Sequence, residues 1–294
     1  MEIRQIITFV KIVQLESFSK AAENLGYTQS AVTIQIRNLE KELNTRLFDR
    51  FGKRVALTAQ GHQFLSYAYN ILNEVNKAKI SLNDETELRN PLYVGTIESL
   101  CFSKLPPILC YFRDHHPKVA IRVTVASPEE LIEQMEHGKL DLIYILDRPR
   151  YNNNWHKAME IREDVVFVSS PSFPLAGKKH LKLEELLEQP FFLTEKNANY
   201  RQALDSYLAS REIILSPFLE ISYVEFIIRM IEENRGISFL PRFSVQKNAE
   251  KGTLAILDVE DFHTSMYRQI FYHKDKWKTK EMEEFIRLAK MNLP

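Results

Sequence analysis

Between Ile3 and Val13 the apolar residues Ile3, Ile6, Ile7, Val10 and Val13 recur at intervals of three and four, the spacing of one helical face, and predict a first helix. Ser17 and Ser19 are each suited to cap a second helix through Ala21, Ala22 and Leu25, which Gly26 ends as a left-handed cap. Thr28 caps a third, with Ala31, Val32, Ile36, Leu39 and Leu43 on its apolar face and Gln29, Ser30, Thr33 and Arg37 on the other. Two helices joined by a tight glycine turn read as a helix-turn-helix. From Arg46 to Thr58 two short extended pieces flank a turn at Gly52, which predicts a hairpin with cations at its tip. A further helix carries Phe64, Ala68, Ile71, Val75, Ala78 and Leu82 at alternating steps of four and three, a heptad seam that predicts self-association.

After the polar stretch ending at Pro91 the pattern changes to strands alternating with helices. Strands are expected over Leu92–Val94, Val119–Val125 and Leu140–Leu146, with helices over Ser99–Phe112 and Glu129–Glu136 between them. A second set of elements follows at Val165–Ser169, Phe191–Thr194, Arg201–Ala209, Phe218–Ile221, Phe226–Glu232 and Ile237–Leu240, so that the two sets look like two small α/β subdomains. Tyr267–Tyr272 and a helix over Thr279–Met291 follow. Such alternation implies crossover units and a mainly parallel sheet. The expected organisation is a winged helix-turn-helix over 1–58, a linker helix and hinge over 59–90, and an α/β domain over 91–294. Subdomain I of that domain takes 91–163 and 267–294, and subdomain II takes 164–266.

Composition sharpens this picture. The chain has 294 residues, 45% hydrophobic and 11% aromatic, which excludes disorder as its main state and suggests two or three domains. No run approaches the roughly 20 apolar residues that cross a bilayer. With two cysteines and no signal-peptide core after Met1, a cytoplasmic location is expected. Lys+Arg and Asp+Glu number 39 each, yet the balance is uneven along the chain: residues 1–90 hold 12 cations against 10 anions, and residues 29–58 hold six against three. A zero net charge therefore leaves nucleic-acid binding open.

Gln, Ser, Thr and Arg side chains near a helix N-terminus are the groups that read base edges in the major groove, and Arg50, Lys53 and Arg54 on a hairpin suit phosphate contact. The sequence SFSKAAENLGYTQSAVTIQIRNLEKELNTRLFDR, followed by ALTAQG, resembles the LysR-type transcriptional regulators. The order of elements continues the resemblance to the C-terminus. It implies a winged helix-turn-helix that binds promoter DNA, a linker helix that dimerises, and a periplasmic-binding-protein-like domain of two subdomains that senses a small effector. On this chain the recognition residues would be Gln29, Ser30, Thr33, Ile34 and Arg37, with Arg50, Lys53 and Arg54 in the wing. Ile34 departs from the basic or polar residue common there, and either meets a thymine methyl or leaves one phosphate contact unmade. A homodimer, and by resemblance a homotetramer, on an interrupted inverted repeat is expected.

Gly95–Ser99 and Ala126–Glu130 place polar side chains where a strand ends and a helix begins, the edge at which open α/β sheets bind ligands. The resemblance implies an effector cleft lined by Thr96, Ser99, Leu100, Ser127, Thr194, Tyr200, Tyr223 and Glu225, with Ser127 equally suited to capping. Glu98 is expected to face solvent. Cys101 and Cys110, nine apart on one helix, are expected to be buried, unbridged hydrophobes. Asp114, His115 and His116 lack further ligands at metal spacing. No GxGxxG, P-loop, HExxH, CxxC or GxSxG occurs, so no enzyme, cofactor or metal is expected. The alternative is an α/β binding or catalytic protein whose N-terminal helices serve only association.

Overall fold

The computed structural model describes residues 1–51, 54–81 and 87–291. They form two compact units. The first comprises Met1–Glu87 with Glu136–Lys139 and His273–Thr279; the second comprises Leu88–Met135, Leu140–Tyr272 and the chain from Lys280.

In the first unit, α1 (Ile3–Leu15), α2 (Phe18–Leu25) and α3 (Gln29–Glu42) precede a hairpin of β1 (Phe48–Phe51) and β2 (Arg54–Leu57), then α4 (Ala59–Ser81). The local signals act as read. Ser17 Oγ accepts from Lys20 N–H, Gly26 ends α2 at φ 69°, and Thr28 Oγ1 accepts from Ala31 N–H. The core gathers Ile6, Phe9, Val10, Phe18, Val32, Ile36, Leu39 and Phe48, with Phe9 against Phe48 and Phe64 at ring separations of 5.2 and 5.1 Å. Two apolar positions of the first periodicity, Ile3 and Ile7, are exposed, and Phe9 takes the core place instead. The heptad seam also needs correction at its start. Ala68 is fully buried and belongs to this core, and Phe64, half-buried, packs on Phe9 within the chain, so the seam's first two positions serve this unit's own packing. Ile71 leans on the same core, while Val75 is half-buried. Lys53 and Leu82, with the side chains of Arg50, Arg54 and Ala78, lie outside the described residues.

The second unit begins with β3 (Leu92–Thr96), α5 (Glu98–Ser103), α6 (Leu105–His115), β4 (Ile121–Val125), α7 (Pro128–Glu136), β5 (Leu142–Asp147) and β6 (Trp155–Ser169). It continues with α8 (Leu183–Leu187), β7 (Phe192–Leu193), α9 (Asn199–Ala209), β8 (Leu219–Glu220) and α10 (Val224–Glu232). The remaining elements are β9 (Ile237–Pro241), α11 (Arg242–Glu250), β10 (Ala255–Ile256), β11 (Thr264–His273) and α12 (Lys280–Met291).

The sheet is mixed, not mainly parallel. Its order is β10-β6-β11-β5-β3-β4, with β9 also on β6. Only the β4-β3-β5 portion and the small β7-β8 pair are parallel; β11 runs antiparallel to β5, and β9 and β10 run antiparallel to β6. The reason is β6, which is 15 residues long where sequence patterning gave five. Its first part carries exposed His156, Glu160, Arg162 and Asp164 alternating with Met159 and Ile161, a period of two hidden by charge. Through β6 the two expected subdomain sheets form one continuous sheet, with helices packed on its apolar faces.

The expected helix 99–112 is two helices, broken at Lys104. Pro106 and Pro107 lack the N–H groups that would bond back into α5, so the chain restarts there with prolines in its first turn. Consequently Cys101 and Cys110 lie on different helices, and Cys110 is exposed instead of buried. Burial, then the charge of Glu98, pushes the Cys101 thiol up, away from the thiolate that reacts.

Candidate functional site

Two places gather functional side chains, one in each unit. On α3, Val32, Ile36 and Leu39 are fully buried, which leaves Gln29, Ser30, Ile34 and Arg37 on the outer face. Ile34 is 57% exposed. Ser19 Oγ donates to Gln29 Oε1 at 3.0 Å, fixing that amide with its N–H groups turned away from Ser19. Thr33 is half-buried, and its hydroxyl donates to Gln29 carbonyl at 2.9 Å, so it offers an outside group only its acceptor side. Ser30 Oγ and Thr28 Oγ1 bond each other at 3.0 Å.

The hairpin is attached rigidly to this helix. Glu40, counted in the sequence as an anion opposing the basic bias, points a carboxylate oxygen at Leu47 N–H (2.8 Å) and Phe48 N–H (3.2 Å). It thereby pins the start of β1 to the end of α3. Thr8 Oγ1 donates to Gln35 at 2.6 Å and ties α1 to the same helix. The β1-β2 register, Phe48↔Leu57 to Phe51↔Arg54, brings the backbone of Arg50 and Arg54 to the hairpin's far end.

In the second unit a cleft of about 330 Å3 opens where β3, β4 and β7 end and α5, α9 and α10 begin. Of the expected lining residues, Ser99, Ser127, Thr194, Tyr200 and Tyr223 are there. Thr96 and Leu100 are not: Thr96 is buried in the sheet with its hydroxyl donating to Tyr144 carbonyl at 2.8 Å, and Leu100 is fully buried in the core. Glu225 does not line the cleft either; its backbone N–H points to Glu98. Ser127 Oγ accepts from Glu130 N–H at 3.4 Å, a weak cap that leaves the hydroxyl at the cleft wall.

Glu98 corrects the sequence reading most. Its side chain turns inward, lines the cleft and reaches across to α10, where Oε2 accepts from Val224 N–H at 3.2 Å. The carboxylate thus serves the free N–H groups of α10, whose N-cap Tyr223 provides no side-chain cap. Oε1 is buried without a hydrogen-bond partner among the described residues. Burial pushes the Glu98 carboxyl up, a nearby Glu225 charge adds to the rise, and the Val224 and Glu225 N–H groups oppose it. No sequence signal pointed to Glu195, Asn197 or Ser222, which also line the cleft. Among the described residues no cluster of three His, Cys, Asp or Glu could hold a metal ion, and no helix is long and apolar enough to cross a membrane.

The Glu98 assignment has a pH signature. A carboxyl raised by folding binds its proton more tightly in the folded state, so the wild type gains stability as pH falls from the folded-state value towards the unfolded value near 4.5. Well above the folded-state value it has none of that gain. Glu98→Gln is expected to match or exceed the wild-type midpoint at pH 7 and to lose ground against it at pH 4, checked by calorimetry at both. A wild-type advantage that shrinks on acidification would contradict the inward Glu98.

The model of the bacterial regulatory helix-turn-helix proteins of the lysR family matches residues 3–62, and that of the LysR substrate binding domain matches residues 85–294. The chain is 33% identical over 291 residues to the HTH-type transcriptional regulator YwqM of Bacillus subtilis, covering 99% of each. It is 28% identical over 275 residues to the HTH-type transcriptional activator CmpR of Synechocystis, covering 93% of this chain and 90% of that one. A full-length OxyR from Pseudomonas aeruginosa shares the fold at a TM-score of 0.78 and 19% identity, over 99% of this chain and 95% of that one. With both family models matched in order, and a relative one-third identical from end to end, the chain belongs to the LysR family of transcriptional regulators.

Proposed function

We propose that α3 reads the major groove of promoter DNA through Gln29, Ser30, Thr33, Ile34 and Arg37, while Arg50, Lys53 and Arg54 of the hairpin hold flanking phosphates. The observation that carries this is the outer face of α3. It presents short polar groups near its N-terminus, an exposed Ile34 and one cation, beside a hairpin that Glu40 fixes in register with the helix. Ile34 at 57% exposure, next to Ser30 and Arg37, suits apolar contact with a thymine methyl. Two such heads, joined through the α4 region around Val75, Ala78 and Leu82, would read an interrupted inverted repeat, since a two-fold protein reads two-fold DNA. Two dimers would make the tetramer. An effector in the 330 Å3 cleft would bind one arrangement of the sensor better than another and shift the population that binds DNA.

Gel shifts and footprints on the protein's own promoter test the reading. Arg37→Ala is expected to cost about 1–3 kcal/mol of specific affinity and to relax sequence preference. Lys53→Ala should weaken binding to all sequences alike and lower the salt slope by about one. An unaltered Arg37→Ala footprint would remove α3 as the reading element.

A further inference from the structure

The chemistry of the cleft restricts what it can hold. Among the described residues that line it there is no Lys, Arg or His, but there are two carboxylates, Glu98 and Glu195. Lys196, between Glu195 and Asn197, is exposed and does not line the cleft, and two nearby arginines are committed elsewhere. Arg201 is 1% exposed and paired to Asp205 at 2.8 Å and to Thr194 carbonyl at 3.2 Å, and Arg150 is paired to Asp147 and Glu129. The N-terminus of α10, which would otherwise attract an anion, is occupied by Glu98 itself.

One polar atom of a lining residue, Glu98 Oε1, is buried without a hydrogen-bond partner among the described residues, while the buried Thr194 hydroxyl faces the Tyr200 hydroxyl and keeps a lone pair with which to accept. An ionised carboxylate oxygen only accepts, so its missing partner must be a donor, and leaving it unpaired costs more than for a neutral group. The rest of the lining is largely apolar or aromatic, with Ile97, Val125, Leu146, Tyr200 and Val224, and apart from Glu195 its other polar groups are neutral serines and asparagines.

We propose that the effector of this cleft is an organic ammonium compound, a protonated amine on an apolar body, whose N–H groups bond Glu98 Oε1 and Thr194 Oγ1 with Glu195 adding negative charge. This rests on the reading of the cleft as the effector site. Glu98 stands on α5 and bonds the start of α10, so it joins elements 126 residues apart across the cleft. An ammonium there engages the same carboxylate that links the two walls, which couples occupancy to their spacing. The charged groups around Glu98 agree in sign: Glu225 at the start of α10 and Glu195 beyond β7 are both acidic.

The test is calorimetric titration of the full chain at pH 7 with three probes of similar size: 2-phenylethylamine, 3-phenylpropionate and 2-phenylethanol. The amine is expected to bind at least about tenfold more tightly than the carboxylate. That preference should vanish in Glu98→Gln, and all binding should be lost in Ser222→Trp, which fills the cleft from an exposed lining position. If Glu98→Gln fails to fold, wild-type titrations decide: amine affinity should fall as pH is lowered from 7 to 4, over which the raised Glu98 carboxyl takes up its proton, and alcohol affinity should not. A carboxylate that binds as well as the amine, and is excluded by Ser222→Trp, overturns the ammonium proposal and leaves the effector cleft standing. Probe binding that Ser222→Trp does not change overturns the cleft itself. Retention of the amine preference in Glu98→Gln, or no binding of any probe at millimolar concentration, also overturns the proposal.

Discussion

Gly61→Ala is expected to destabilise the N-terminal unit by about 3 kcal/mol, the cost of forced overpacking against atoms that cannot move aside. A methyl at Gly61 would lie 2.1 Å from the Leu47 carbonyl oxygen and 2.9 Å from Leu57 Cδ2. The obstacle is backbone held from several sides. Leu47 carbonyl accepts from Thr58 N–H at 3.0 Å, Leu47 N–H donates to Glu40, and Thr58 Oγ1 accepts from Gly61 N–H at 2.9 Å while donating to Arg46 carbonyl at 2.7 Å. At an open helical position the same change would stabilise by up to about 1 kcal/mol, so the sign alone is decisive. Urea unfolding of the full chain measures the cost, and a gel shift should show weakened DNA binding, because the displaced segment is the root of the hairpin. A neutral or stabilising result would show that α4 starts farther from Leu47.

Arg268→Met is expected to cost about 3–5 kcal/mol, the range for removing one partner of a buried ion pair. Arg268 lies on β11 between β6 and β5, 2% exposed. Its Nε pairs with Glu163 of β6, and its Nη1 donates to the Tyr144 hydroxyl of β5 at 2.7 Å. Without the guanidinium, Glu163 keeps a charge at 14% exposure and the Tyr144 hydroxyl loses its donor. Lys104 moderates the loss. Its ammonium is held below its ordinary pKa by burial and then by Arg268, so removing Arg268 favours its charged form beside Glu163. The double variant Arg268→Met with Glu163→Leu should recover much of the cost, because replacing both charges removes the desolvation penalty with the attraction. Denaturant midpoints of the single and double variants check this. A single-variant cost below about 1 kcal/mol would mean that water reaches Glu163.

What could be read from the sequence follows the range of the interactions. Ser17, Gly26 and Thr28 act within four residues of themselves, so helix ends in the N-terminal unit were legible, and α3's apolar stripe separated its buried from its outer face. Periodicity does not say what an apolar stripe meets. Ala68 and Phe64 serve the unit's own packing, whereas Ile3 and Ile7 of the first stripe stay exposed. β6 was half hidden because Glu160, Arg162 and Asp164 occupy the outward positions of a genuine strand. In the cleft, Thr96 and Leu100 sat in a segment correctly placed at a strand end, but which side chains turn outward depends on Tyr144 and on the core behind them. Glu98's orientation is set by a helix start far along the chain, which no local pattern encodes.

The place of β11 in the sheet bears on how the protein is made. It lies between β6 and β5, yet its residues, Thr264–His273, follow all the other strands in the chain. Glu281 of α12, emerging later still, accepts the Arg89 and Asn90 N–H groups that lead into β3. On a ribosome, α1 to α4 can close their local contacts once their own residues are out. The sensor sheet has to wait with β5 and β6 unjoined until the last strand is released. During that interval a nascent chain would carry a folded DNA-reading head attached to a sensor with an open seam, so ligand responsiveness is acquired only after synthesis of β11 and α12.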